Sequence, residues 1–275
     1  MTQPLRGVYV VGELSSDLAS RASAVSLRLP PCAVLCRGTA AWLLGVDDVR
    51  GPGRPIGPAA LEVLVPTGTT PLRRAGLRSY QAALPPQDVM SVRGLRCTTP
   101  ARTAADLARW LPRPMGLAVL DAMAHTRRVD PRQVSRVLER FAGHSGAAVA
   151  RELVDLVEPR TESYGESWLR LRVHDAGFPR PQAQVPIRDA SGRVVYRLDL
   201  GLPERRVGFE YDGLEHHASA AAQAHDAARR FRLLEEFGWT VIGFHLGHVL
   251  GSSLLLERTV GELLGIAPAI SRRSW

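Results

Sequence analysis

The residues of this chain best suited to chemistry are acids set in short apolar runs. Asp199 lies between Leu198 and Leu200, and Glu210 follows Phe209 and precedes Tyr211 and Asp212. A carboxylate among such neighbours is costly to bury unless a cation or hydrogen bonds compensate, and two side by side repel each other. Side chains alternate faces along a strand, so the two acids are expected to converge on one sheet face. A divalent metal relieves both costs. Mg2+ suits the purpose, since it takes oxygen ligands, keeps waters and is commonly held by one or two carboxylates plus a substrate phosphate. The expected inner shell is Asp199, Glu210 and the main-chain carbonyl of Tyr211, around Mg2+ or Mn2+. Such an ion polarises a phosphodiester and lowers the pKa of an attacking water.

Further residues fall into supporting positions. Asp212 stands two residues beyond Glu210, where it binds a second cation or orients the water. Glu166 has two readings: a ligand reaching over the site from the preceding helix, or a surface glutamate favoured by the helix dipole. His217 is expected to take or give a proton, and Arg229 to neutralise charge on phosphate. His225, Asp226 and Arg229 share one side of a helix, where ordinary solvated ion pairs are the alternative. His245 and His248 read as loop residues with no assigned role.

The elements that must carry these residues are legible in outline. Residues 162–176 read as a helix, 194–200 and 207–211 as strands joined by the turn at 201–206, 218–237 as a long helix, and 239–244 as an apolar strand after Gly238. That order implies a mixed sheet flanked by helices. The polar stretch 158–168 marks a boundary, giving regions 1–158 and 159–275. In the first, 15–26 and 37–44 look helical, 51–58 is a loop, and 61–66 alternates as a strand does. Residues 89–97 suggest one or two more strands. Thr99-Pro100 and Asp130-Pro131 supply N-caps with a first-turn proline, and Ser145 is expected to cap a helix ending near 158. Asp106, Asp121, His125 and His144 read as isolated surface or capping groups. The fold class is therefore α/β, with an α+β N-terminal region.

Composition narrows the classes. All 35 basic residues are arginine and the net charge is +8. GC-rich coding explains the missing lysine; a planar guanidinium also suits bidentate binding of phosphate, which makes DNA a candidate partner. Cys32, Cys36 and Cys97 are too few and too scattered for a zinc site and read as buried apolar residues of a reducing cytoplasm. No apolar run approaches the ~20 residues needed to cross a bilayer, so a cytoplasmic protein with no membrane partner is expected.

Two resemblances follow from these motifs. The string Asp199, Phe209-Glu210-Tyr211-Asp212-Gly213, His216-His217, Asp226, Arg229 and Gly238-Trp239 resembles a domain family related to very-short-patch-repair endonucleases, within the PD-(D/E)XK superfamily. The likeness covers roughly 160–250. It implies a restriction-endonuclease-like sheet, with Asp199 as metal aspartate, Glu210 as the next acidic ligand and Glu166 as the helix glutamate. Where that superfamily usually has lysine, this chain has Asp212. The first region is similar to AbiEi-type antitoxin-like proteins through Arg6-Gly7-Val8-Tyr9-Val10, Arg37-Gly38-Thr39-Ala40-Ala41-Trp42-Leu43 and Thr98-Thr99-Pro100-Ala101-Arg102-Thr103-Ala104-Ala105-Asp106-Leu107. In that family Arg-Gly-Val-Tyr closes a winged helix-turn-helix, so the resemblance implies a region lacking a complete one, and a possible toxin partner. Two functions stand at this point: a Mg2+-dependent deoxyribonuclease of defence or repair, and a catalytically inactive DNA-binding or antitoxin-like regulator.

Overall fold

The computed structural model describes residues 2–5, 8–10, 26–27, 29–46, 60–73, 77–213 and 220–275. The chain divides into two compact units, Met1–Val157 and Glu158–Trp275. Most of the helix expected over 15–26, and the loop expected at 51–58, lie outside the described residues.

The first unit opens with the paired strands β1 (Thr2–Leu5) and β2 (Val8–Val10). There follow β3 (Val34–Leu35), α1 (Arg37–Leu43), β4 (Leu61–Pro66), β5 (Leu77–Ala82), β6 (Val89–Val92) and β7 (Leu95–Thr98). β3 to β7 form one sheet in the order β5-β4-β3-β7-β6. Its core gathers Leu35, Trp42, Val63, Val65, Leu95 and Cys97. The three cysteines are free; Cys36 and Cys97 are buried, and burial pushes the Cys97 thiol up to about 11.

Four helices complete the unit: α2 (Pro100–Trp110), α3 (Arg113–His125), α4 (Pro131–Glu139) and α5 (Ala147–Asp155). Thr99 and Asp130 cap α2 and α4 as expected, accepting from the N–H of Arg102 and Arg132. The cap of α5 differs. Gly146, not Ser145, holds it with φ of 74°, a left-handed conformation that a Cβ would drive into the backbone of Arg109.

The second unit contains α6 (Tyr164–Asp175), β8 (Gln182–Arg188), β9 (Val194–Leu202), β10 (Val207–Asp212), α7 (Ala220–Phe237), β11 (Thr240–His245), α8 (Leu246–Leu250) and α9 (Leu255–Leu264). Its mixed sheet runs β11-β10-β9-β8, with only the β10–β11 pair parallel. Leu233 of α7 packs with Val185, Leu198, Trp239 and Val241, and α6 buries Trp168, Leu169 and Leu171. β8 is an edge strand that the sequence reading passed over. His245 and His248 are not idle loop residues either: the His245 ring accepts from the N–H of Gly247 and caps α8. Among the described residues no helix is long and apolar enough to cross a membrane.

Candidate functional site

Asp199 stands where the sheet opens. The antiparallel register between β9 and β10 runs from Leu202–Val207 to Leu200–Phe209 and stops there, while β10 stays paired with β11 as far as Asp212–His245. The next inward N–H of β10, that of Tyr211, is taken by a side chain instead. It donates to Asp199 Oδ2 at 3.0 Å, so the carboxylate fills the notch between the parting strands. On the other flank, the β8–β9 register steps from Ala183–Leu200 to Val185–Leu198, passing over Gln184 and Asp199. Gln184 has φ of 55°, a conformation that costs energy in a residue with a Cβ and that clusters at functional sites.

Glu166 comes to this notch from α6 and is buried. Ser163 caps the helix by accepting from the Glu166 N–H, and Glu166 Oε2 accepts from the N–H of Glu162 at 3.0 Å and from Gln184 Nε2 at 2.8 Å. Helix packing fixes its height. Gly165 faces the Tyr211 ring so closely that any Cβ would collide with it, and Trp168 meets the same ring edge-on with centroids 6.5 Å apart. The surface reading of Glu166 is thereby corrected: it stands in the first turn of α6, but its side chain is buried, because the N–H of Glu162 and Gln184 Nε2 hold its carboxylate inward.

Glu210 is buried and engaged. Arg229 of α7 grips both carboxylate oxygens, Nη1 to Oε1 at 2.7 Å and Nη2 to Oε2. Arg230 Nη2 binds Asp212 Oδ2 at 3.0 Å, with its Nε 3.9 Å from Glu210. Gly243 on β11 leaves the space which that second pair occupies. Asp226 lies 3.9 Å from Arg229, and His225 is exposed. His216 and His217 lie outside the described residues.

The charge balance is uneven. Glu210 and Asp212 have arginine partners, whereas Asp199 and Glu166 have none among the described residues. Burial pushes the Asp199 carboxyl up to about 6, against the N–H of Tyr211, and the nearby charges of Glu166, Glu210 and Asp212 raise it further. Carboxylate oxygens with surplus negative charge suit a hard divalent cation in chemical type. Glu210 fits one only after Arg229 lets go, and among the described residues no three acid, histidine or cysteine side chains gather as a metal-ligand group. For Tyr211, the observed contact to Asp199 is made by its N–H rather than its carbonyl.

Sequence reasoning misjudged Asp106 in the first unit. It is buried, not a surface or capping group: Arg102 Nε binds it at 2.9 Å and Arg102 Nη1 binds Asp88 at 2.7 Å, with Arg140 on the far oxygen of Asp88. Asp121 is buried as well. The signal was the spacing Arg102-x-x-x-Asp106, one helical turn on a face otherwise made of alanine and leucine.

Comparison with known proteins agrees with the first unit. Residues 33–156 match the model of the AbiEi antitoxin C-terminal domain. Two Mycobacterium tuberculosis proteins, Uncharacterized protein MT2308 (strain CDC 1551 / Oshkosh) and Uncharacterized protein Rv2248 (strain ATCC 25618 / H37Rv), are each 34% identical over 236 residues. The alignment covers 86% of this chain and 82% of each relative. The chain therefore belongs to one family with these mycobacterial proteins and carries an AbiEi-antitoxin-like domain in its first unit.

Proposed function

We propose that this is an antitoxin-like regulatory protein whose C-terminal unit is a divalent-cation-dependent centre acting on DNA phosphodiesters. The observation that carries the reading is Asp199, set without a cationic partner in the notch between β9 and β10, beside buried Glu166 and Glu210. Asp199 and Glu166 would hold Mg2+ or Mn2+, and Glu210 would join them on release from Arg229. The ion supplies Lewis-acid polarisation of the scissile phosphate. The protein's own residues balance the exchange of charge. With Glu210 turned to a cation, Arg229 would be left without its carboxylate, and its guanidinium fork, beside that of Arg230, would suit phosphate oxygens.

Incubating supercoiled plasmid with the protein tests this. Nicking is expected with Mg2+ or Mn2+, none with chelator, and a loss of about 100-fold or more in Asp199→Ala and Glu210→Ala with folding preserved. Cleavage that persists in both variants rejects the site.

A second reading is favoured by the Glu210–Arg229 ion pair and by aspartate at position 212. In it the unit binds DNA without turnover. Its mark is steeply salt-dependent binding, since each phosphate contact releases counterions, with no product under any metal.

A further inference from the structure

Beside α2 the first unit has an open cavity of about 470 Å3, lined by Arg37, Arg102, Arg109 and Arg140 against Asp88 and Asp106. The ion pairs leave the charge unbalanced. Asp88 serves Arg102 and Arg140, and Asp106 serves Arg102 and, at 3.9 Å, Arg109. Arg37 feels the charge of Asp106 but has no carboxylate within ion-pair distance and no hydrogen-bond acceptor among the described residues. Its contacts are with aromatic faces: the guanidinium carbon lies 3.6 Å from the centroid of Tyr80 and 4.7 Å from that of Trp110. The neighbouring acid Glu62 is already used by the N–H of Gly38 and the hydroxyl of Tyr80.

Three observations indicate that the cavity takes a ligand. The first is Arg37 itself, with a planar array of N–H donors and no acceptor. The second is its backbone, strained at φ of 47° in a residue where glycine would be free of strain. The third is Trp110, which is 54% exposed at the cavity rim and lies beside both Arg37 and Arg109. The aromatic surface is flat and accessible, and the charge within is positive. Burial and the nearby Arg37 and Arg102 charges lower the affinity of Arg109 for its proton, as expected where cations crowd without enough anions.

We propose that this cavity binds a nucleotide, with the phosphate accepting from Arg37 and the base stacked on Trp110; Arg109, whose Nε and Nη2 donate to the Ser145 carbonyl, adds positive charge beside it. A phosphate matches the surplus charge and the bidentate fork. A base matches the exposed indole, and the volume lies within the range of small-ligand pockets. The site belongs wholly to the first unit and is independent of the acids around Asp199.

The test is calorimetric titration of the full chain, in chelator, with each of the four ribonucleoside 5′-monophosphates, with inorganic phosphate and with the corresponding nucleosides. At least one nucleotide is expected to bind saturably, and at least ten-fold more tightly than phosphate or its nucleoside. Arg37→Ala is expected to weaken it ten-fold or more at unchanged circular dichroism. Trp110→Ala, a change at an exposed ring, is expected to weaken the nucleotide by a larger factor than it weakens phosphate. The proposal is overturned if no nucleotide saturates, if phosphate alone binds as tightly, or if both variants bind as the parent does.

Discussion

The two units handle buried charge in opposite ways. Around Arg102 the arginines outnumber the acids, and the cation left over, Arg37, lies on aromatic rings. Around Asp199 the surplus is anionic: two acids are met by Arg229 and Arg230, while Asp199 and Glu166 keep only N–H partners. Pairing inside each cluster fixes the scaffold, and on the readings proposed above the unpaired remainder sets the sign of the ligand. A site is therefore better located by the charge its neighbours fail to cancel than by the charge that they do.

The largest effect should come from breaking the satisfied part of this balance. Arg102 is almost fully buried, and Arg102→Ala would leave Asp88 and Asp106 short of a partner in the interior. Denaturant unfolding should register a loss of about 3–5 kcal/mol. If the loss is under ~1 kcal/mol, the network does not hold the unit together.

Next comes the helix that positions Glu166. Gly165→Ala places a methyl group against the Tyr211 ring, so α6 must shift from the sheet. A loss of about 1–3 kcal/mol is expected, together with weaker cation binding. An unchanged melting temperature would mean that the ring moves aside freely.

Neutralising the surplus should work in the opposite direction. The Asp199 carboxyl titrates near 6 when folded and at 3.8 in its ordinary state, so folding takes up a proton between those values. The stabilisation is complete below 3.8 and is lost as pH rises past 6. At pH 8 and without metal, Asp199→Asn should gain about 1–2 kcal/mol once solvent screening at this partly exposed group is allowed for. The gain should vanish at pH 3.5. A variant less stable than the parent at pH 8 would contradict the charge balance drawn here.

The smallest change is expected at Trp110. Its ring is more than half exposed, so Trp110→Ala should alter stability by no more than about 0.5 kcal/mol, and a larger loss would make it chiefly a packing residue.

Much of the frame was legible because local chemistry decides it. Thr99-Pro100 and Asp130-Pro131 start α2 and α4, and the apolar runs around Asp199 and Glu210 become β9 and β10. β8 was readable too, since Ala183, Val185 and Ile187 alternate inward. Pro186 is accommodated there because β8 is an edge strand and the proline is exposed. The partners were not legible. Nothing in spacing tells that Arg229 closes on Glu210 rather than waiting for phosphate, or that Gln184 turns left-handed to bind Glu166. Those contacts depend on how α6 and α7 lie on the sheet, and the same holds for Arg37, Tyr80 and Trp110, which come from three separate elements.

Calorimetric titration of the metal-free chain with Mn2+ near pH 7.5 tests the central claim most directly. Saturable binding that disappears in Asp199→Asn, while Asp226→Asn on the outer face of α7 binds as the parent does, is the predicted result. Binding that is absent from the parent, or equal in the parent and Asp199→Asn, would contradict it.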